Sequence, residues 1–66
     1  MLPYQERIVD EKVQLAERLS KLEAFFDTPT YMALDEDEKG RLTRQCTIMQ
    51  EYACVLDERI AAFGEK

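Results

Sequence analysis

Apolar residues recur at helical spacing along the first third of this 66-residue chain. Ile8, Leu15 and Leu22 repeat every seven residues. This period places their side chains on one face of an α-helix, which we predict over residues 5–26. Pro3 stands just ahead of that helix, where the missing N–H group of proline costs little.

A second and longer apolar line fills the C-terminal half of the chain. Its members alternate between spacings of four and three residues, which is the a/d pattern of helices that pack in a coiled coil. They are Leu42, Cys46, Met49, Ala53, Leu56, Ile60 and Phe63. We therefore predict a helix over residues 36–63, with Gly64 as its stop.

The segment between the two helices contains signals for two helix starts. Thr28 precedes a proline, which is typical of an N-cap followed by the first helical position, and we predict a short helical turn over residues 29–33. Asp35, with Glu38 three positions later, predicts the cap of the last helix. The chain is therefore predicted to be one all-α domain over residues 1–66, an antiparallel helical hairpin with a short helical elbow.

Ile48, Tyr52 and Val55 form a second apolar stripe beside the a/d line of the last helix. One partner helix cannot cover both lines, so the wider apolar face implies contact with another chain. Chains below roughly 70–80 residues usually need disulfides, a metal or oligomerisation to be stable. Cys46 and Cys54 are separated by about 12 Å of helical rise, too far for a disulfide within one chain. We expect the hairpins to assemble into an oligomeric helical bundle.

Composition argues against several functional classes. The net charge of −5 lacks the basic footprint of a protein that binds DNA or RNA polymers. The chain has no histidine, and its single serine lies within a helix, so we expect no enzymatic activity. No spacing of cysteines suggests a metal site, and we expect no cofactor.

Three features bear on the location of the protein. No run of about 18 apolar residues is present, so no membrane span is predicted. The N-terminus lacks the basic and apolar segments of a signal peptide. Two unpaired thiols favour a reducing compartment. The expected location is the cytoplasm.

The cations are the most informative polar residues. Arg7 and Arg18 are eleven residues apart, which places them about 20° apart around the axis of the first helix. Lys21 stands one turn beyond Arg18, Ser20 adds a hydroxyl near that end, and Arg59 lies beside the apolar line of the last helix. Taken singly, each cation is typical of a solvated helix face. Several that converge could hold a small anion.

The order of these residues resembles a family of small phage proteins. The segment QxxxMxxYxxVLxxRI, from Gln45 to Ile60, is the most specific part of a resemblance that spans nearly the whole chain. The chain is similar to the phage anti-CBASS proteins that sequester cyclic oligonucleotides. This resemblance implies a homohexamer of helical hairpins that binds cyclic di- and trinucleotides between protomers without cleaving them. Effectors of the bacterial CBASS defence are then not activated in the infected host.

The resemblance also implies the ligand-binding residues, which are Tyr4, Arg7, Arg18, Ser20, Lys21 and Arg59. Tyr4 is the aromatic residue nearest to the ring that stacks on a base in the dinucleotide pocket, and Arg18 matches the phosphate-binding lysine of that pocket. Ser20 occupies a hydroxyl position of the trinucleotide pocket, and Arg59 matches its phosphate-contacting arginine. Arg7 and Lys21 are included as their neighbours.

Two other functions remain open at this point. The apolar stripe also fits a structural or protein-interaction hairpin that has no nucleotide ligand. The acidic charge alone suggests a DNA-mimicking inhibitor, although the carboxylates are scattered over several helix faces. The nucleotide-sequestering protein, or sponge, and the interaction hairpin differ over the cations. A sponge requires Arg18, Ser20 and Arg59 to converge between chains, and an interaction hairpin does not.

Overall fold

A computed structural model describes residues 1–64 of the protein. α1 spans Pro3–Phe25, α2 spans Pro29–Met32 and α3 spans Glu36–Ala61, and a 3-10 turn follows at Ala62–Gly64. These described residues contain no strand, and the molecule measures 50 × 15 × 14 Å along its principal axes. The predicted all-α hairpin with a short helical elbow is therefore confirmed.

The two long helices pack along the predicted apolar lines. Ile8, Leu15 and Leu56 form the buried centre of the hairpin, and Leu56 is fully buried. The residues of the C-terminal half that pack against this centre are Met49, Ala53, Ile60 and Phe63. Phe63 lies in the 3-10 turn that follows α3. Every predicted a/d position from residue 42 to residue 63 is buried or half-buried, which confirms this line as the seam of the hairpin.

One position in the seam of α1 is charged. The alternation of four and three residues that connects Ile8 to Leu15 passes through Lys12. The Lys12 ammonium donates a hydrogen bond to the carboxylate of Asp57 on α3. The two side chains are 36% and 55% exposed, so this ion pair contributes little to stability. This contact forms only when the two helices align as they do here, in the way that polar residues at seam positions of coiled coils depend on register.

Both predicted helix caps are present. The Thr28 hydroxyl accepts a hydrogen bond from the backbone N–H of Tyr31 at 3.2 Å, at the start of α2. The Asp35 carboxylate accepts one from the backbone N–H of Glu38 at 2.7 Å, at the start of α3. Each cap satisfies a backbone donor that has no partner within its own helix. The chain therefore reverses direction between two helices whose ends are defined locally.

Aromatic rings close the elbow end of the hairpin. The Tyr31 ring meets the rings of Phe25 and Phe26 edge-on, with centroid distances of 6.1 and 5.0 Å. The Lys39 ammonium lies 5.6 Å from the centroid of the Tyr31 ring, which is a cation–π distance. Through these contacts the ring of α2 meets both the end of α1 and the start of α3.

The helix ends differ from the predicted ones by at most two residues. α1 begins at Pro3 rather than at residue 5, because the Gln5 side chain accepts a hydrogen bond from the backbone N–H of Leu2 at 2.9 Å. α3 ends at Ala61, where the backbone tightens into the 3-10 turn. Gly64 lies inside that turn without a positive φ, so the prediction that it stops the helix is wrong. The tighter turn engages the last carbonyls without a left-handed residue.

Among residues 1–64, no helix combines the length with the apolar run that a bilayer span requires.

Replacement of Gly40 by alanine should stabilise the protein. Gly40 is exposed within α3, and a Cβ atom at this position would meet no atom within 4 Å. Because alanine is favoured over glycine inside a helix, Gly40→Ala should raise the free energy of unfolding by roughly 0.5–1 kcal/mol. Urea unfolding followed by circular dichroism at fixed protein concentration measures this change.

Gly64→Ala is the matched control for this experiment. Gly64 also has open space around its Cα atom, but it lies in the 3-10 turn rather than in α3, so its replacement should change stability less. A loss of stability in Gly40→Ala would contradict the prediction. It would show that another chain packs closely against the start of α3.

Candidate functional site

The open end of the hairpin carries a cleft between the start of α1 and the end of α3. Its volume is about 300 Å³, at the lower end of the range for small-molecule sites. The residues that line it are Tyr4, Gln5, Ile8, Arg59, Ala62 and Phe63. The cleft thus combines aromatic and aliphatic walls with one amide and one cation.

An aromatic pair forms one wall of the cleft. The rings of Tyr4 and Phe63 meet edge-on, with a centroid distance of 6.2 Å and an interplanar angle of 80°. Phe63 is the last residue of the α3 seam, and Tyr4 lies one turn before Ile8 on α1. Tyr4 is 49% exposed, so part of its ring surface remains open for stacking with a flat ligand.

Arg59 supplies the positive charge of the cleft. It lies in the last turn of α3, where a cation interacts favourably with the helix dipole, and it is exposed. No carboxylate within residues 1–64 forms an ion pair with it. Its guanidinium carries five N–H donors in a planar fork, which is the geometry that binds phosphate in a bidentate manner.

The other predicted site residues do not line the cleft. Arg7, Arg18, Ser20 and Lys21 are all exposed on α1. Arg18 is separated from Tyr4 by about 21 Å of helical rise. A single chain therefore does not bring the six predicted residues into one site.

The predicted residues of α1 also occupy two sides of the helix. Arg7, Arg18 and Lys21 fall within an arc of about 100° that includes Tyr4. Ser20 points about 160° away from Tyr4 around the axis, on the opposite side of α1. A pocket that uses both Ser20 and Arg18 therefore requires side chains from different chains.

The structure brings Tyr4 and Arg59 together, although the resemblance assigns them to different pockets. Both line the same cleft at the open end. Sequence reasoning missed Phe63 as a wall of this site, because it was predicted only as a seam residue. The available signal was its place as the last seam position of α3, which an antiparallel hairpin sets beside the first aromatic residue of α1.

A second depression lies on α3 towards the elbow. Its volume is about 340 Å³, and its lining comes from α3 alone: Arg41, Arg44, Gln45, Ile48 and Met49. A concavity built from one helix is open on its other side. Within residues 1–64, no group of three or more acidic or cysteine side chains is placed to hold a metal ion.

Comparison with known proteins places these features in a family. The profile of the family described as Sequestin matches residues 2–62, which include both long helices, the elbow, Tyr4 and Arg59. A protein of Enterobacteria phage T4, described as an uncharacterized 7.5 kDa protein in the denB-rIIB intergenic region, is 33% identical over 63 residues. That alignment covers 96% of this chain and 98% of the phage T4 protein. No solved structure matches the chain significantly.

The contact between Tyr4 and Phe63 can be measured by a double-mutant cycle. Tyr4→Leu and Phe63→Leu each keep an apolar side chain but remove one ring of the edge-on pair. The two substitutions should show a coupling energy of about 0.5–1 kcal/mol in the free energy of unfolding. Urea unfolding of the four proteins at one concentration gives this value.

Tyr4→Phe is the control for the cycle, since it keeps the ring and removes only the hydroxyl. It should leave the coupling with residue 63 unchanged. Strict additivity of the two leucine substitutions would show that the rings do not interact in solution, and the aromatic wall of the cleft would then not exist as described.

Proposed function

Because the chain belongs to the Sequestin family, we propose that it sequesters cyclic oligonucleotides without cleaving them. The principal ligands are cyclic trinucleotides, and cyclic dinucleotides are a second class. The protein acts as a phage anti-defence sponge in the cytoplasm of the infected bacterial host. By holding the second messenger, it keeps the effectors of the CBASS response inactive.

One observation carries this proposal: the Tyr4 ring and the Arg59 guanidinium line the same cleft. A nucleotide presents a flat aromatic base next to an anionic phosphate. Stacking of a base on an aromatic side chain contributes about 1–3 kcal/mol in comparable sites. A guanidinium binds phosphate through charge-assisted hydrogen bonds that are stronger than neutral ones. The cleft therefore matches both parts of a nucleotide within one protomer.

Symmetry extends this match to a cyclic ligand. A cyclic trinucleotide carries three equivalent phosphates, and three copies of Arg59 around a threefold axis would meet one phosphate each. We propose a homohexamer as the assembly in which such axes occur. The separation of Ser20 and Arg18 from the cleft supports assembly between chains, because within one chain these side chains lie too far from Arg59 to share a ligand.

The charge distribution favours a small ligand over a polymer. The chain carries a net charge of −5, so a long polyanion such as DNA is repelled by most of its surface. A cyclic oligonucleotide needs only a few local donors. The chain has no histidine, and we propose binding alone, with no catalytic step.

A structural or protein-interaction hairpin is the second candidate function. The observation that favours it is the apolar stripe on α3, where Ile48, Tyr52 and Val55 are 56%, 42% and 48% exposed. Such a stripe fits the apolar face of a partner helix. This function requires no convergence of cations.

Isothermal titration calorimetry against a panel of cyclic di- and trinucleotides tests the sponge directly, with the oligomer mass measured on the same sample. Tight binding with about one trinucleotide per three chains would support a threefold pocket. Binding of dinucleotides would support the stacking role of Tyr4. No binding across the panel by an intact oligomer would overturn the proposal and leave the interaction hairpin.

Arg59→Lys separates the shape of the guanidinium from its charge. Lysine keeps the positive charge but cannot make the bidentate fork, so the affinity for a cyclic trinucleotide should fall at least about tenfold. The oligomer mass should not change. Calorimetry and sedimentation equilibrium on the same protein measure the two quantities.

Arg44→Lys is the matched control, because Arg44 is an exposed arginine of the same helix that does not line the cleft. Its affinity for the trinucleotide should equal that of the unmodified protein. An equal loss in both variants, or no loss in Arg59→Lys, would show that Arg59 does not contact the phosphate.

A further inference from the structure

The apolar stripe of Ile48, Tyr52 and Val55 is an uncovered face of α3. These three large side chains remain between 42% and 56% exposed, while the seam on the adjacent face of the same helix is covered by α1. Residues 1–64 contain no third long helix to cover them. The described part of the chain therefore leaves an apolar face on its longest helix open to solvent.

Charged residues continue the stripe at both ends. The same alternation of three and four residues that spaces Ile48, Tyr52 and Val55 extends backwards through Gln45 and Arg41 to Glu38, and forwards to Arg59. One line along α3 thus carries a carboxylate and a cation at its start, an apolar centre, and a cation at its end. The order of charges is not the same when it is followed from either end of α3. Parallel and antiparallel pairs of α3 therefore bring different charges together.

We propose that this face packs against the same face of a second copy, with the two α3 helices antiparallel and a twofold axis at Ile48. In that register Ile48 lies beside its own copy, Tyr52 lies opposite Gln45, and Val55 lies opposite Arg41. Glu38 lies opposite Arg59 of the second copy, and the symmetry repeats this ion pair at the other end. The proposal rests on the self-association in the proposed function and adds the face and the alignment.

The charges favour this alignment over a parallel pair of α3 helices and over an antiparallel pair with a later axis. A parallel pair would set Arg41 beside Arg41 and Arg59 beside Arg59. An antiparallel pair centred two residues later would set Arg41 opposite Arg59. Both arrangements bring like charges together, which is unfavourable. The twofold axis at Ile48 packs Ile48 against its own copy, lets the aliphatic stem of Arg41 cover Val55, and gives each Arg59 a carboxylate. An axis at Tyr52 would instead set Arg59 opposite Gln45, with no opposite charge.

The Glu38 carboxylate is available for such a contact without loss of its present partner. It accepts a hydrogen bond from the Arg41 Nε atom at 2.7 Å, and its side chain remains 42% exposed. A carboxylate can accept several hydrogen bonds, and a guanidinium can donate five. Arg59 can therefore contact Glu38 of the second copy on one edge while another edge faces the cleft. The ligand site then lies at the border of the contact between the two copies.

Disulfide trapping tests the twofold axis. In a Cys54→Ser background, which removes the exposed thiol and leaves Cys46 buried, Ile48→Cys should form a disulfide-linked dimer under mild oxidation. Thr47→Cys is the matched control, since Thr47 is exposed and points about 100° away from Ile48 around α3. Equal trapping at both positions, or none at residue 48 in an intact oligomer, would overturn the proposal.

A charge exchange tests the alignment. Glu38→Arg sets like charges opposite each other twice in the dimer, so it should weaken association about tenfold by sedimentation equilibrium. Asp37→Arg produces the same change in net charge in the same helical turn, but Asp37 lies off the stripe. This variant should weaken association much less. Arg59→Glu should also weaken association, and the double variant Glu38→Arg, Arg59→Glu should recover most of it. Failure of the double variant to recover would show that the two residues are not opposed.

These readouts do not depend on a nucleotide. If nucleotides bind while trapping and charge exchange fail, the proposed contact is wrong and the sponge function stands. If the contact behaves as expected while calorimetry detects no ligand, the contact stands and the sponge function is wrong.

Discussion

The apolar seam between α1 and α3 is the constraint on which the rest of the molecule depends. A repeat of four and three residues on both helices allows them to pack side by side over most of their length. The ion pair between Lys12 and Asp57 lies at a charged position of this seam and forms in this alignment of the two helices. That alignment sets Phe63 against Tyr4 and places Arg59 next to both.

A two-helix hairpin satisfies only part of the apolar surface that its sequence carries. The side chains that are buried within residues 1–64 are Ile8, Leu15, Cys46 and Leu56. A core of this size is marginal for an isolated domain. The uncovered stripe on α3 and the open cleft at the end of the hairpin have the same origin, because residues 1–64 contain no third long helix to cover either. Both proposals for this protein therefore involve contacts between copies.

Arg59 connects the two proposals through its position. It lines the cleft beside Tyr4, and it also ends the line of residues that continues the stripe on α3. Assembly and ligand binding would then use neighbouring edges of one guanidinium. In a chain with a net charge of −5, the proposed arrangement would concentrate positive charge where copies meet. Phosphates of the proposed cyclic ligand would then be bound there while the outer surface of the assembly stays acidic.

The sequence by itself determined the features that depend on nearby residues. The periods of the two apolar lines predicted both long helices and the seam, and the caps at Thr28 and Asp35 follow from side chains that bond within three residues. The cleft depended on tertiary structure, because Tyr4 and Phe63 are far apart in the chain and meet only through the alignment of α1 with α3. The local pattern also predicted wrongly that Gly64 stops the last helix. The α-helix ends at Ala61 because the backbone tightens there into a 3-10 turn that includes Gly64. Short-range hydrogen bonds and periodicity depend on residues that are close in the sequence, whereas the site is formed by packing between residues that are distant in it.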